Sequence, residues 1–250
     1  MANPIAPSIT QNGRLEPFDL QVARGQVFGH SLVNIQGYNA NQHDTFRAVW
    51  EKSDTTDYVF PTTAAAMTFS STLSETFTMR VEGLDANYAL KTAVVTFSGS
   101  TTGVVTTGTS TFFRINAMQI ISGTAADTIT ATNGGGTVYA QINSGTGRSQ
   151  ASIYTVPLGY TFYLTRAQAF TTNNGTQFCT YRVYSQTISG GITTPNIVLS
   201  APFTNAYSST RVVARGYSEK TDIQWQLKQS NPAPGSIQVE GILIKNDGTL

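Results

Sequence analysis

The stretch Ser74–Gly83, SETFTMRVEG, constrains this chain more than any other. Apolar and polar residues alternate strictly: Phe77, Met79 and Val81 on one side, Thr78, Arg80 and Glu82 on the other. That period of two belongs to a strand with one buried and one wet face and cannot be laid onto a helix. GLDANY (83–88) follows as a loop. LKTAVVTFSG (90–99) then reads as the return strand of a hairpin.

The rest of the chain repeats this theme. FFRINAMQIIS, QFCTYRVYSQTI, NIVLSAPF, TRVVARGYS, DIQWQLKQS and SIQVEGILIKN are short β-forming runs separated by turn residues. Such spacing predicts an all-β fold of antiparallel sandwich or jelly-roll type rather than a βαβ array. No helix longer than two turns is expected; the best candidate, TTAAAM (62–67), is too short to form alone. Composition agrees: there are 38 Thr, and only 12% of residues are charged, against roughly 25% in an average soluble domain. Helix surfaces are therefore scarce, and Thr, Ser, Asn and Gln take the solvated faces of strands.

Residues 1–17, with Pro4, Pro7 and Pro17, read as an extended N-terminal arm. The polar, Gly-rich NSGTGRSQ (143–150) is a candidate junction. It divides the chain into an N-terminal β-sandwich over 18–150 and a C-terminal, jelly-roll-like sandwich over 151–250; a single continuous sandwich is the alternative.

The net charge of +1, with Lys and Arg scattered, speaks against a nucleic-acid partner. Cys179 is the one cysteine, so no intrachain disulfide can form. MANPIAPSIT lacks a basic region followed by an apolar one, and no run reaches the roughly 20 apolar residues of a membrane helix. The expectation is a protein made in a cytosol without membrane insertion, and its β-rich, Thr-rich, cysteine-poor character suits a virion component.

A search for chemistry returns structural explanations. Asp54 and Asp57 are close in sequence and Glu82 and Asp85 flank a turn, but Asp in a turn serves its own backbone. His30 and His43 lie 13 residues apart with no cysteine partner and no nucleophile pattern. Asp44, Asp54 and Asp57 are the remaining candidate cation ligands. Cys179 shares a face with Tyr181 and Val183 and reads as a buried thiol. Gly134–Gly136 reads as a hairpin turn, since no Lys-Ser/Thr follows it. Asn174-Gly175-Thr176 matches a glycosylation sequon at chance level. The aromatics from Tyr181 to Tyr184, with Trp225, are candidates for a sugar-binding face or a sandwich core. In IYTVPLGYTFYLTRAQAF (153–170), Pro157-Leu158-Gly159 is a turn, and period-two counting puts Arg166 on the side of Phe162 and Leu164. No catalytic, cofactor-binding or metal residue is assigned, no cofactor is expected, and the chain is not expected to be an enzyme.

The order RVEGLDANYALKTAVVTFSG, FFRINAMQI, GTVYAQINSGTGRSQASIYTVPLGYTFYLT, EKTDIQW, GILI resembles phage virion structural proteins of the marine and cyanobacterial phage type. The resemblance spans roughly residues 20–245 and is carried mainly by GLDANY, the YTVPxGxTxYLT pattern and EKTDI. Leu158 stands where the pattern has a small residue, usually Ala. The resemblance implies a β-sandwich subunit on the outer surface of a virion, commonly a homotrimer, with no catalytic residues. Two roles follow as expectations. One is a capsid decoration, cement or head-fibre subunit bound to the major capsid protein. The other is a tail-associated or receptor-binding adhesin that binds host surface glycan.

Overall fold

A computed structural model describes residues 10–11, 14–42, 44–52, 57–172, 178–189 and 192–246. The described residues are nearly all β, 67% strand and 3% helix. In the first part run β1 (Thr10–Gln11), β2 (Arg14–Leu15), α1 (Phe18–Ala23), β3 (His30–Gln42), β4 (Arg47–Ala48), β5 (Ala65–Ala66), β6 (Thr68–Leu84), β7 (Leu90–Thr107), β8 (Thr111–Phe112), β9 (Arg114–Gly123), β10 (Ile129–Thr132) and β11 (Val138–Ile142). The remainder is β12 (Ile153–Thr155), β13 (Tyr160–Thr171), β14 (Cys179–Ser189), β15 (Ile192–Phe203), β16 (Ala206–Tyr217), β17 (Thr221–Gln229) and β18 (Ala233–Lys245). Among the described residues every strand pairing is antiparallel.

The hairpin expected from the alternating stretch is β6–β7, with Phe77 paired to Phe97 and Leu84 to Leu90. Phe77, Met79, Val81, Val95 and Phe97 are buried, and the two phenylalanine rings stack at 4.6 Å. On its other side β6 pairs with β10 through Thr68–Ser70 and with β9 through Phe77–Leu84. Between these segments the β6–β7 register breaks, from Ser70↔Thr102 to Glu75↔Ser100. The buried Glu75 carboxylate accepts from the Ala126 and Asp127 N–H groups (3.1 and 2.8 Å), and Asp127 accepts from the Thr72 N–H (3.1 Å). Two carboxylates thus satisfy backbone donors where the ladder cannot. The sheet is filled by Phe69, Phe112, Met118, Ile129 and Ile142.

A second core lies between two further sheets, ordered β12-β17-β14-β15 (with β4 also on β17) and β16-β13-β18-β3. Tyr154, Phe162, Leu164, Tyr181, Trp225, Leu227, Ile237 and Val239 fill it. Strand β3, placed by sequence in a sandwich over 18–150, pairs instead with β18 from Ile244↔His30 to Ala233↔Gln42, and β4 pairs with β17. A division at residue 150 thus cuts the sequence without separating the sheets. Close backbone approach fixes β3 there: a Cβ on Gly37 would lie 2.4 Å from the Val49 carbonyl oxygen.

Two local expectations are corrected. Ala65 and Ala66 of the candidate helix TTAAAM pair with Phe112 and Thr111 as a strand. The one α-helix among the described residues is FDLQVA, after Pro17, with Asp19 in its first turn; Pro pre-sets the φ a helix start needs, and an early acid favours the helix N-terminus. Of the expected extended arm, residues 10–11 and 14–15 form a short ladder, and 1–9 and 12–13 lie outside the described residues.

Candidate functional site

The motifs quoted from the sequence converge on one place. The Leu158 N–H of the VPLG turn donates to the Tyr88 carbonyl of GLDANY (2.9 Å). The Val156 N–H donates to Thr221 O (3.0 Å) and the Lys220 N–H to Val156 O (2.9 Å), while the Gly159 N–H donates to a Glu219 carboxylate oxygen (2.6 Å). From FFRIN, the Phe113 N–H donates to Leu84 O (2.8 Å), and the Phe113 and Tyr88 rings meet edge-on at 5.0 Å. Tyr88 takes φ +64°, an uncommon value for a non-glycine residue; Asp85 Oδ1 stabilises this turn by accepting from the Asn87 and Ala89 N–H groups (2.8 and 3.0 Å).

At the centre is a buried ion pair. Arg114 Nε donates to Asp222 Oδ1 (2.9 Å) and Nη2 to Oδ2 (2.8 Å), with side chains 3% and 2% exposed. Nη1 donates to Pro61 O (2.6 Å) and Phe113 O (3.0 Å), and the guanidinium lies over the Phe113 ring at 4.0 Å. Thr155 Oγ1 donates to Asp222 Oδ1 (2.5 Å), and the Thr155 backbone is held both ways by the Asn116 amide (3.0 and 3.1 Å). Both charges are saturated by fixed partners. Arg114 belongs to β9 of the first sheet and Asp222 to β17 of the sandwich, so the pair is a rivet between two sheets. Sequence reasoning missed it, although a charge inside FFRINAM and another before IQW stand out in so weakly charged a chain.

Two clefts flank this joint. One, of about 500 Å³, is lined by Tyr58, Phe60, Phe113, Tyr184 and Gln224 above the ion pair. Burial pushes the Tyr58 phenol well above its ordinary range. The other, of about 460 Å³, runs between β3 and the outward face of β6 and β9.

The remaining sequence candidates are dispersed. Tyr181 and Trp225 are fully buried in the sandwich core, so neither offers a sugar-binding surface, while Arg182 lies over Phe46 at 3.9 Å. Cys179 is buried and donates to Gln229 Oε1 (3.6 Å). Asp57 pairs with Arg47 (2.8 Å). His30 Nδ1 bonds Phe28 O (2.8 Å). In the glycine turn, Asn133 Oδ1 accepts from the Gly135 and Thr137 N–H groups (3.1 and 3.0 Å). His43, Asp54 and Asn174-Gly175-Thr176 lie outside the described residues. Among the described residues no three His, Cys, Asp or Glu side chains gather as metal ligands, and no helix is long and apolar enough to cross a membrane. Arg166 corrects the period-two count: Leu164 pairs with Gly241 and Arg166 with Glu240, so a bulge at Thr165 shifts the phase. Ala167 and Ala169 become buried, and Arg166 turns outward, 3.9 Å from Glu240.

No family model matches the chain, and no curated protein matches it. Among solved structures, one titled "Structure of infectious bursal disease virus Gt strain" is similar at 11% identity, covering 94% of this chain and 79% of that chain, with a TM-score of 0.23. A likeness of that size carries no argument about fold or function.

Proposed function

We propose that the chain is a structural subunit of the outer surface of a phage virion: a capsid decoration, cement or head-fibre protein that self-associates, as a homotrimer, and docks on the major capsid protein. The observation that supports this most is the flank built by β15 and β16. Each is the edge strand of one sandwich sheet, twelve residues long. β15 carries no charged residue, and Ile197, Val212 and Val213 stand 57%, 104% and 82% exposed. Leu164 pairs with Arg215 and Arg166 with Thr210, so residues 211–214 bulge outward opposite Thr165 alone. That bulge, with Pro195 and Pro202 on β15, blunts strand-to-strand addition. Burial of the flank therefore runs through side chains, and a symmetric oligomer of identical chains supplies a matching apolar surface. The motif resemblance noted in the sequence supports the same reading, and the saturated Arg114–Asp222 pair acts as a joint.

The test is to mix purified protein with heads that lack it and image the particles. Added density at local three-fold or quasi-three-fold positions is expected. Unchanged heads at saturating protein overturn the reading.

A further inference from the structure

The cleft between β3 and the first sheet has the lining of a ligand site. Arg80 on β6 pairs with Gln119 on β9, and Gln119 bridges Arg148. Directly paired residues share a sheet face, so two guanidiniums flank one amide in a row across β6, β9 and the single bridge residue Arg148. Asn34, Gln36 and Leu32 of β3 line the opposite wall, with Leu90 nearby. Arg148 spans the cleft, Nη2 donating to Asn34 O (2.6 Å).

Charge within this space is unbalanced. Arg80 and Arg148 face Glu82 alone, on a chain whose total net charge is +1. Glu82 engages Arg80 Nε (2.7 Å), and Arg80 Nη2 reaches Gln119 Oε1 at 3.4 Å. Lys91 contributes backbone to the wall but turns its ammonium to the other face of the sheet, over the Phe112 ring and bonded to Thr109 Oγ1 (2.6 Å) and Thr111 O. Arg148 has no carboxylate partner among the described residues and keeps its other N–H donors free of them. The side-chain amides of Asn34 and Gln36 bond no described residue, while Leu32 and Leu90 are 49% and 55% exposed.

From this we infer that the cleft binds a carboxylated saccharide. The Arg148 fork matches a carboxylate in plane, with Arg80 released from Glu82 as a second contact. Free amides suit sugar hydroxyls, which both donate and accept. The two leucines offer an apolar surface for the C–H face of a ring. A volume of about 460 Å³ lies within the roughly 300–1,000 Å³ of small-ligand sites. Two positive charges are too few for a nucleic-acid track, which needs a basic stripe.

The test uses the full chain and two probes, glucuronic acid and glucose, at matched ionic strength, followed by amide and side-chain NMR. Saturable shifts at Asn34, Gln119 and Arg148 with glucuronate, and none with glucose, are expected. Arg148→Gln is expected to weaken glucuronate by about tenfold or more, the scale of a lost charge-assisted contact, and Glu82→Gln to strengthen it by freeing Arg80. Thermal melting of each variant separates lost binding from lost fold. Equal response to glucose, equal affinity for inorganic phosphate, or an unchanged affinity in both variants each overturns the inference.

Discussion

Replacing Asp222 with Asn tests the joint between the first sheet and the sandwich. The substitution keeps the volume but removes the charge facing Arg114, whose side chain is 3% exposed. One carboxylate oxygen becomes an N–H donor 2.8 Å from Arg114 Nη2, itself a donor. At that distance, an effective dielectric of about 20 gives roughly 6 kcal/mol of attraction. The carboxylate's own desolvation offsets part of it, and the guanidinium keeps Pro61 O, Phe113 O and the Phe113 ring. Breaking a buried pair on one side typically costs about 3–5 kcal/mol, and that is the expected loss, a large fraction of the roughly 5–15 kcal/mol that holds a domain folded. The assay is urea denaturation followed by the fluorescence of Trp50 and Trp225 and, separately, by far-UV circular dichroism. The control is Arg114→Met with Asp222→Leu, which removes both charges and should recover to within about 2 kcal/mol of the parent. A loss below about 1 kcal/mol for Asp222→Asn, or a double variant worse than the single one, refutes the reasoning.

Three further outcomes follow from the same structure. Burial raises the Glu51 carboxyl from 4.5 to about 7, only partly countered by the Asn143 N–H. Because the folded value lies above the unfolded one, stability is full below about pH 4.5, falls as pH rises to about 7 and is level beyond. After discounting for solvent screening the loss is about 1–2 kcal/mol, and Glu51→Gln should flatten the denaturation-against-pH curve and raise stability at pH 8. Gly241→Ala would place a Cβ 2.3 Å from the buried Phe162 ring and 2.6 Å from Tyr163 O; a cost of about 3 kcal/mol or more by denaturation is expected. Val212→Lys with Val213→Lys should shift sedimentation toward monomer and leave the far-UV circular dichroism of the folded chain unchanged, since both side chains are exposed on the subunit, while the melting temperature loses its dependence on protein concentration.

What could be read from the chain was what is local. The 77–97 hairpin needed only alternation and a turn, and its register follows from both. Partner choice is not local: nothing in SLVNIQGYN says that β3 will pair with a strand two hundred residues later, so a boundary drawn at the Gly-rich 143–150 assigned β3 to the wrong sheet. The bulge at Thr165 shows a second limit. Period-two counting is sound until one residue is inserted, and then every later side chain changes face, as Arg166, Ala167 and Ala169 did. The helix at 18–23 was within reach, since Pro17 and Asp19 are start signals, but six residues give no periodicity to count.

The quoted motifs had a structural meaning that their sequence could not display. GLDANY, VPLG, EKTD and FFRIN are each a turn or a strand start, and separately each has an ordinary explanation. Together they are four sides of one joint, tied by Leu158 to Tyr88, Val156 to Thr221, Phe113 to Leu84 and Arg114 to Asp222. A turn that must also dock on another turn tolerates fewer residues than a free one: Tyr88 must accept a left-handed φ and still present its carbonyl to Leu158. That double demand is enough by itself to make such segments distinctive. The places to look for recognition are therefore the surfaces the joint leaves unsatisfied, the β15–β16 flank and the Arg148 cleft, rather than the motifs themselves.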